Sequence, residues 1–509
     1  AVEPYSESEA GIIRNGVFAA LPDAFGISLG YTNDPTTFKN RSTPAPSTRS
    51  MACKAQTSGR IYLHSGPRTE LHEIIRQEYA RHQDRAVPRN TLRQAVQGML
   101  DTFAYQNFDA AAGEYTNRCC RPPRETEMRP WRLVTEIGWT GGGVLAYPLV
   151  LCRDALGADA EAPLAAAMSG EQLFDRIADA YNENSGLLND LMAPNAAGSQ
   201  VNGWWTGYGL VKDCHCAYTV GSAVHYLTKT MDYLHQNGKP CPAKWMDAAQ
   251  KVLHTVMDLQ RADGAFGYTY STQERKVLDW SGFAGCWFVP ALVYLYRLTG
   301  EERCLHSAEK ALDYYHTFVK DLNCYGTPMD TWKAVDEEGN LAFMRGSRLL
   351  YEQTGKAEFL QYMKDSAGYE FLWRYGYKTY PEHTPLNQGW SACGGAVTSV
   401  SNPHIHPMGV IIDTDLRYLA RVTGDGYYAS RAADSAAWML QCLELYPAAT
   451  GYGRYGILSE RWCPSDGLDV ERFSDGRPFS SWFSHNLWAS ACVLEAACEL
   501  LLEIEHKKG

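Results

Sequence analysis

The sequence predicts an all-α protein, an (α/α)6 toroid of six helical hairpins, preceded by a short β-rich or irregular segment. Three observations carry this. From about residue 67 roughly twelve helical segments alternate between amphipathic and nearly all-apolar. Three of the short turns between them share a Thr-Gly step, and the connections running the other way are long.

Residues 1–64 come first. Gly16-Val17-Phe18, Ile27-Ser28-Leu29 and Arg60-Ile61-Tyr62-Leu63-His64 are short apolar runs between Gly, Pro and Asn turns, which predicts strands. They are too few to close a sheet alone, so the expectation is the end of a larger β-sandwich domain lying upstream or on another chain. Because the first residue is Ala, a leader, a tag or an upstream domain is expected to be missing. Residues 65–509 form the second unit, the toroid and catalytic domain.

Within that unit the Thr-Gly steps are Leu298-Thr299-Gly300-Glu301, Gln353-Thr354-Gly355-Lys356 and Val422-Thr423-Gly424-Asp425. In each, an apolar helix ends, Gly supplies a left-handed cap and an amphipathic helix begins. After the first turn, Leu305, Ala308, Leu312 and Tyr315 share one stripe while Glu302, Glu309 and Lys310 lie off it, which marks an outer helix. The stretches around 283–298 and 486–502 are apolar nearly all round and mark inner helices. The outer-to-inner connections, about 106–140, 185–215, 262–281, 322–338, 375–406 and 446–482, gather at the opposite end from the turns. A closed ring and an open solenoid both fit this pattern; the ring is the reading adopted.

Composition narrows the function. The 509 residues carry 45% hydrophobic and 21% charged side chains, enough to bury a large core. A net charge of −11 with no basic stripe excludes a nucleic-acid partner. No apolar run reaches the ~18–20 residues of a membrane span. The 14 Trp, 31 Tyr and 16 Phe, many in Gly-rich connections, suggest a ligand with flat apolar faces. Of fifteen cysteines, Cys286, Cys304, Cys442, Cys492 and Cys498 fall in apolar helical patterns, so unpaired buried thiols and a cytoplasmic location are expected.

The hairpin count, the Thr-Gly turns and the loop Arg261-Ala262-Asp263-Gly264-Ala265-Phe266-Gly267-Tyr268 resemble the (α/α)6-toroid glycoside hydrolases and polysaccharide lyases. The resemblance covers about residues 67–509 and concerns architecture, with no one family's catalytic signature. It implies a carbohydrate cleft on the long-loop face, in several cases beside an N-terminal β-sandwich. It implies no particular catalytic residue.

Each long loop ends in an aromatic residue beside a polar one. These are Glu136 and Trp139; Trp204, Trp205 and Tyr208; Asp279 and Trp280; Asp330 and Trp332; Trp390 with His404 and His406; and Trp482 with His485. Glycoside hydrolysis needs two carboxyl groups, one protonating the leaving oxygen and one activating water or attacking carbon. Asp279, Asp330 and Glu136 are therefore the candidate catalytic residues, and the rings and histidines are candidate substrate contacts. For Asp279 and Asp330 the competing role is a helix cap, and for Glu136 a pair with Arg132 or another Arg.

Asp413 and Asp415 sit in an apolar helix and are expected to pair with Arg345 and Arg348. His-x-His at 404–406 with Asp413 or Asp415, Cys214-His215-Cys216 and Cys119-Cys120 lack the spacing of a zinc site, so no metal and no cofactor is expected. There is no phosphate loop and no Gly-x-Ser-x-Gly elbow. The leading function is a glycoside hydrolase acting on an oligosaccharide or glycoconjugate. The alternatives are a polysaccharide lyase or sugar epimerase using His404 or His406 and a Tyr such as Tyr208, and a non-catalytic helical-repeat binding scaffold. The partner expected is a carbohydrate, with a second copy of the chain or an upstream β-domain left open.

Overall fold

The computed structural model describes residues 65–119 apart from 68–69 and 83–84, then 129–132, 137–138, 141–190, 203–206, 209–327, 333–378, 390–400, 402–443, 456, 458–460, 462 and 484–506 apart from 486. Ahead of these it describes four strands. Val2–Ser8 pairs antiparallel with Ala55–Ile61, and Gly16–Leu21 with Ala24–Leu29.

Fourteen α-helices follow among the described residues: α1 (Leu71–Arg81), α2 (Leu92–Thr102), α3 (Gly143–Leu156), α4 (Glu161–Ala166), α5 (Gly170–Asp179), α6 (Ala217–Gln236), α7 (Ala243–Asp258), α8 (Phe288–Thr299), α9 (Glu302–Lys320), α10 (Glu338–Thr354), α11 (Ala357–Trp373), α12 (Asp413–Thr423), α13 (Gly426–Cys442) and α14 (Leu487–His506). Their packing closes a ring. The inner helices follow one another as α3, α6, α8, α10, α12 and α14, and α14 packs back on α3. Outside them stand α2, α5, α7, α9, α11 and α13, with α1 against α11. The contact between the last inner helix and the first is what an open solenoid lacks, and at that seam Cys152 Sγ lies 3.9 Å from Cys498 Sγ.

Local chemistry explains the three repeated turns. Gly300, Gly355 and Gly424 are left-handed, with φ of 72°, 66° and 70°, a conformation glycine adopts without a Cβ clash. The preceding threonine acts the same way each time. Thr299, Thr354 and Thr423 donate to the carbonyls of Leu295, Leu350 and Leu419, and their Oγ1 atoms accept from the amides of Glu301, Lys356 and Asp425. The hydroxyl thus ties off the inner helix and aims the outer one. Capping boxes of Thr91 with Gln94 and Ser169 with Gln172 open α2 and α5.

The expected outer stripe of α9 is buried at Leu305, Ala308, Leu312 and Tyr315. Down the middle of the ring, charged side chains of the inner helices pair with one another. Lys229 of α6 lies 2.5 Å from Glu495 and 2.7 Å from Glu499 of α14. Arg345 Nε of α10 lies 2.7 Å from Asp415 Oδ2 of α12, and Arg348 reaches the same carboxylate at 3.2 Å. Asp415 therefore has the partners expected of it, whereas Asp413 pairs with Arg374 at 2.9 Å. The described cysteines from Cys152 onward are free thiols, buried except for Cys241, and no described helix is long and apolar enough to cross a membrane.

Candidate active site

The inner helices begin at the long-loop end, and their first residues meet at the ring axis. Tyr218 opens α6, and its hydroxyl lies 3.7 Å from the sulfur of Met408, in the 3-10 turn leading into α12 on the opposite side of the ring. Glu338, the first residue of α10, faces the same phenol. Burial, and then the Glu338 charge, push the Tyr218 hydroxyl well above its usual range. It therefore stays protonated, with its hydroxyl beside the Glu338 carboxyl group.

Rings complete this floor. Trp287, just ahead of α8, lies 5.8 Å from Tyr218 between centroids. Trp488, at the start of α14, stacks on His406 at 5.9 Å and 23°. Gly138 brings the first long loop onto α6: its carbonyl accepts from Ser222, and a Cβ there would sit 2.1 Å from the Thr219 carbonyl oxygen.

His404 and His406 lie on the strand Asn402–His406, paired with Ala396–Ser399, and both are buried. His406 Nδ1 is 3.0 Å from the His404 carbonyl. In the neutral ring Nδ1–H therefore donates there and the lone pair sits on Nε2. Among the described residues no cluster of three His, Cys, Asp or Glu is arranged to hold a metal.

Asp279 lies on a three-stranded sheet made with Cys214–Cys216 and Thr269–Ser271, between the openings of α6 and α8. Its Oδ2 is 2.6 Å from Lys333 Nζ, and its Oδ1 accepts from the Ser281 amide at 2.8 Å. Burial raises the carboxyl, but Lys333 and the amide outweigh it and hold the group below its ordinary range. Lys333 sits at φ 51° and places its ammonium 4.7 Å from the Tyr268 ring. The helix after Asp279 starts at Ala284, beyond Ser281-Gly282, so the Ser281 amide bond caps a turn rather than a helix.

The other proposed contacts separate. Trp280 carries the Arg261 guanidinium 5.1 Å above its ring, and Arg261 also faces Tyr314 of outer helix α9. Trp390 is buried against the end of outer helix α13, beside Cys442 and the Ser391–Gln441 bonds. Trp390 is thus packed into the outer layer, whereas Trp280 is half-buried under Arg261. Trp204 and Trp205 lie on the strand Gly203–Thr206, and His485 on Ser484–His485. Glu136, Trp139, Tyr208, Asp330, Trp332 and Trp482 lie outside the described residues.

The acids missed from sequence are Asp336, Glu337 and Glu338, all buried where α10 begins. Asp336 accepts from the amides of Thr327 and Gly339, each at 3.0 Å, while burial pushes it up to about 7. The available signal was three consecutive acids entering a helix of the inner, all-buried kind.

No protein-family model matches the chain, and no curated protein matches it significantly. Solved structures do match in fold. A family 76 glycoside hydrolase from a bovine Bacteroides thetaiotaomicron strain superposes with a TM-score of 0.53 at 11% identity, covering 89% of this chain and 81% of that one. Cellobiose 2-epimerase from Spirochaeta thermophila gives 0.51 at 13%, covering 87% and 100%. A D-mannose isomerase gives 0.50 at 12%, covering 81% and 97%. At such identities the likeness is one of fold, and the chain is an (α/α)6 toroid as these are.

Proposed function

We propose that this chain is a carbohydrate-active enzyme and that it hydrolyses a glycosidic bond of an oligosaccharide or glycoconjugate. The observation that carries this reading is the Tyr218–Glu338 pair where the inner helices open, with Trp287 beside Tyr218 and Trp488 stacked on His406 at the starts of other inner helices. Rings beside a carboxyl group suit a sugar, whose apolar face stacks while its oxygens take protons. The names of the three similar structures, which concern a glycoside hydrolase, cellobiose and mannose, point to the same substrate class.

In this reading Asp279, kept ionised by Lys333, is the base or nucleophile, and Glu338 joins Asp330 and Glu136 as a candidate proton donor. A panel of chromogenic glycosides tests it. On a substrate the native chain cleaves, Asp279→Asn and Glu338→Gln should each lower turnover by ~10²-fold or more. Near-native turnover in both variants would remove this carboxylate pair from the mechanism.

A specific observation favours a second reading, a sugar epimerase or isomerase: the His406 tautomer, with its lone pair on Nε2 beside Trp488. Such an enzyme moves a proton at carbon. Deuterium from heavy water entering a C–H position of recovered sugar would favour it, and oxygen-18 from water entering the product without deuterium would favour hydrolysis.

A further inference from the structure

Behind the axis, three carboxyl groups and one guanidinium are packed without water-exposed surface. Glu337 precedes α10, Glu370 and Arg374 end α11, and Asp413 starts α12; all four are buried. Arg374 makes two bonds to Glu370 Oε1, at 3.0 and 2.8 Å, and a third to Asp413 Oδ1 at 2.9 Å. Its Nη2 also donates to the Gly409 carbonyl at 2.7 Å. The single guanidinium is thus committed to two carboxylates before Glu337 is counted.

Neither carboxyl oxygen of Glu337 has a donor among the described residues, and Glu370 Oε2 has none either. Two carboxylates side by side in this setting would repel, whereas one carboxylic acid and one carboxylate form a hydrogen bond. Gly409 makes room for the arrangement: a Cβ there would lie 2.3 Å from Glu337 Oε1.

We infer that Glu337 is a positioning residue: a neutral carboxylic acid that donates its proton to Glu370 and so fixes the start of α10, where Glu338 meets Tyr218. The backbone supports the same arrangement, since the Glu337 amide donates to the Thr398 carbonyl and the Asn340 amide closes onto Glu337. The cluster braces the 408–412 turn from its other side, through Gly409, so it holds Met408 and Glu338 together. Burial, then Glu370, drive Glu337 well above its usual range. The groups facing it are Glu370 of α11 and Arg374 just past that helix, Asp413 and Arg417 of α12 through Arg374, Cys492 of α14, and Glu338, the next residue.

The link to Glu338 as a reacting group rests on the proposed function; the proton and the brace do not. Three measurements on the full chain test them. Infrared spectra in heavy water should show a carboxylic acid band in the native chain that Glu337→Gln removes. Melting temperature should fall with rising pH in the native chain relative to Glu337→Gln, because a raised acid loses its contribution as pH climbs through its folded pKa. Amide exchange over 337–341 should be unchanged in Glu337→Gln at neutral pH and faster in Glu337→Ala.

On any sugar the native chain turns over, kcat should survive in Glu337→Gln and drop ~10- to 10²-fold in Glu337→Ala. If Glu337→Ala does not fold, the infrared and pH comparisons with Glu337→Gln still decide. Absence of the band, or parallel melting curves for the native chain and Glu337→Gln, overturns the neutral acid. An intact band and brace with no sugar turnover would instead count against the proposed function.

Discussion

Tyr218 and Met408 touch across the axis of the ring, phenol oxygen to sulfur at 3.7 Å, although 190 residues separate them. With Glu338 on the same hydroxyl, this contact closes the axis below the long loops. Tyr218→Phe keeps the ring packing and removes a hydroxyl from beside a buried carboxyl group, a loss of about 1–3 kcal/mol. Denaturant unfolding should report a drop of that size. A change below ~0.5 kcal/mol would show that the hydroxyl is not engaged with Glu338.

Asp279 and Lys333 are partly exposed, at 35% and 20% of their side chains. Screening by solvent limits such a pair to about 1 kcal/mol or less. Asp279 has a lowered pKa, so its contribution is present above the unfolded carboxyl pKa and is lost as pH falls through the folded value. Lys333→Met should therefore change stability little at neutral pH and flatten the acid limb of the melting curve. An acid limb identical to the native one would contradict the pairing.

Lys229 is buried between Glu495 and Glu499, and Tyr226 also donates to Glu495 at 2.8 Å. Lys229→Met leaves two buried acids without their shared cation and should cost about 3–5 kcal/mol. Adding Glu495→Gln to that variant should restore part of the loss, since one uncompensated charge goes with it. Strict additivity in the double variant, read by urea unfolding, would argue against coupling.

Gly300 and Gly264 separate two reasons for glycine. At Gly300 a Cβ meets nothing within 4 Å, so Gly300→Ala should cost only the left-handed backbone, about 1–2 kcal/mol. At Gly264 a Cβ would lie 2.2 Å from the Lys310 carbonyl, and φ is +99°. Gly264→Ala should cost distinctly more, because α9 must move. Equal losses in thermal melts of the two variants would show that crowding at Gly264 is relieved without strain.

Much of the architecture was legible in the sequence because hydrophobic period and turn chemistry are local. Leu305, Ala308, Leu312 and Tyr315 announce a buried stripe at helical spacing, and Thr299-Gly300 announces its own turn through bonds to Leu295 and Glu301. Arg345 with Asp415 could be anticipated because two charged residues in apolar helices must find opposite charge. The site was less legible. Trp280 and Trp390 share the loop-end pattern of candidate contacts, yet Arg261 lies over the first and the end of α13 packs against the second, and no local spacing says which way a loop ring turns. Asp336-Glu337-Glu338 is passed over in the sequence, because three acids at a helix start are also an ordinary N-terminal turn. The hairpin pattern marks α10 as inner, but only ring closure decides that Glu337 meets Glu370 and Glu338 meets Tyr218. Periodicity states which face of a helix is buried; which helix covers it, and therefore which buried acid gains a partner or keeps its proton, is decided by contacts between residues far apart in the chain.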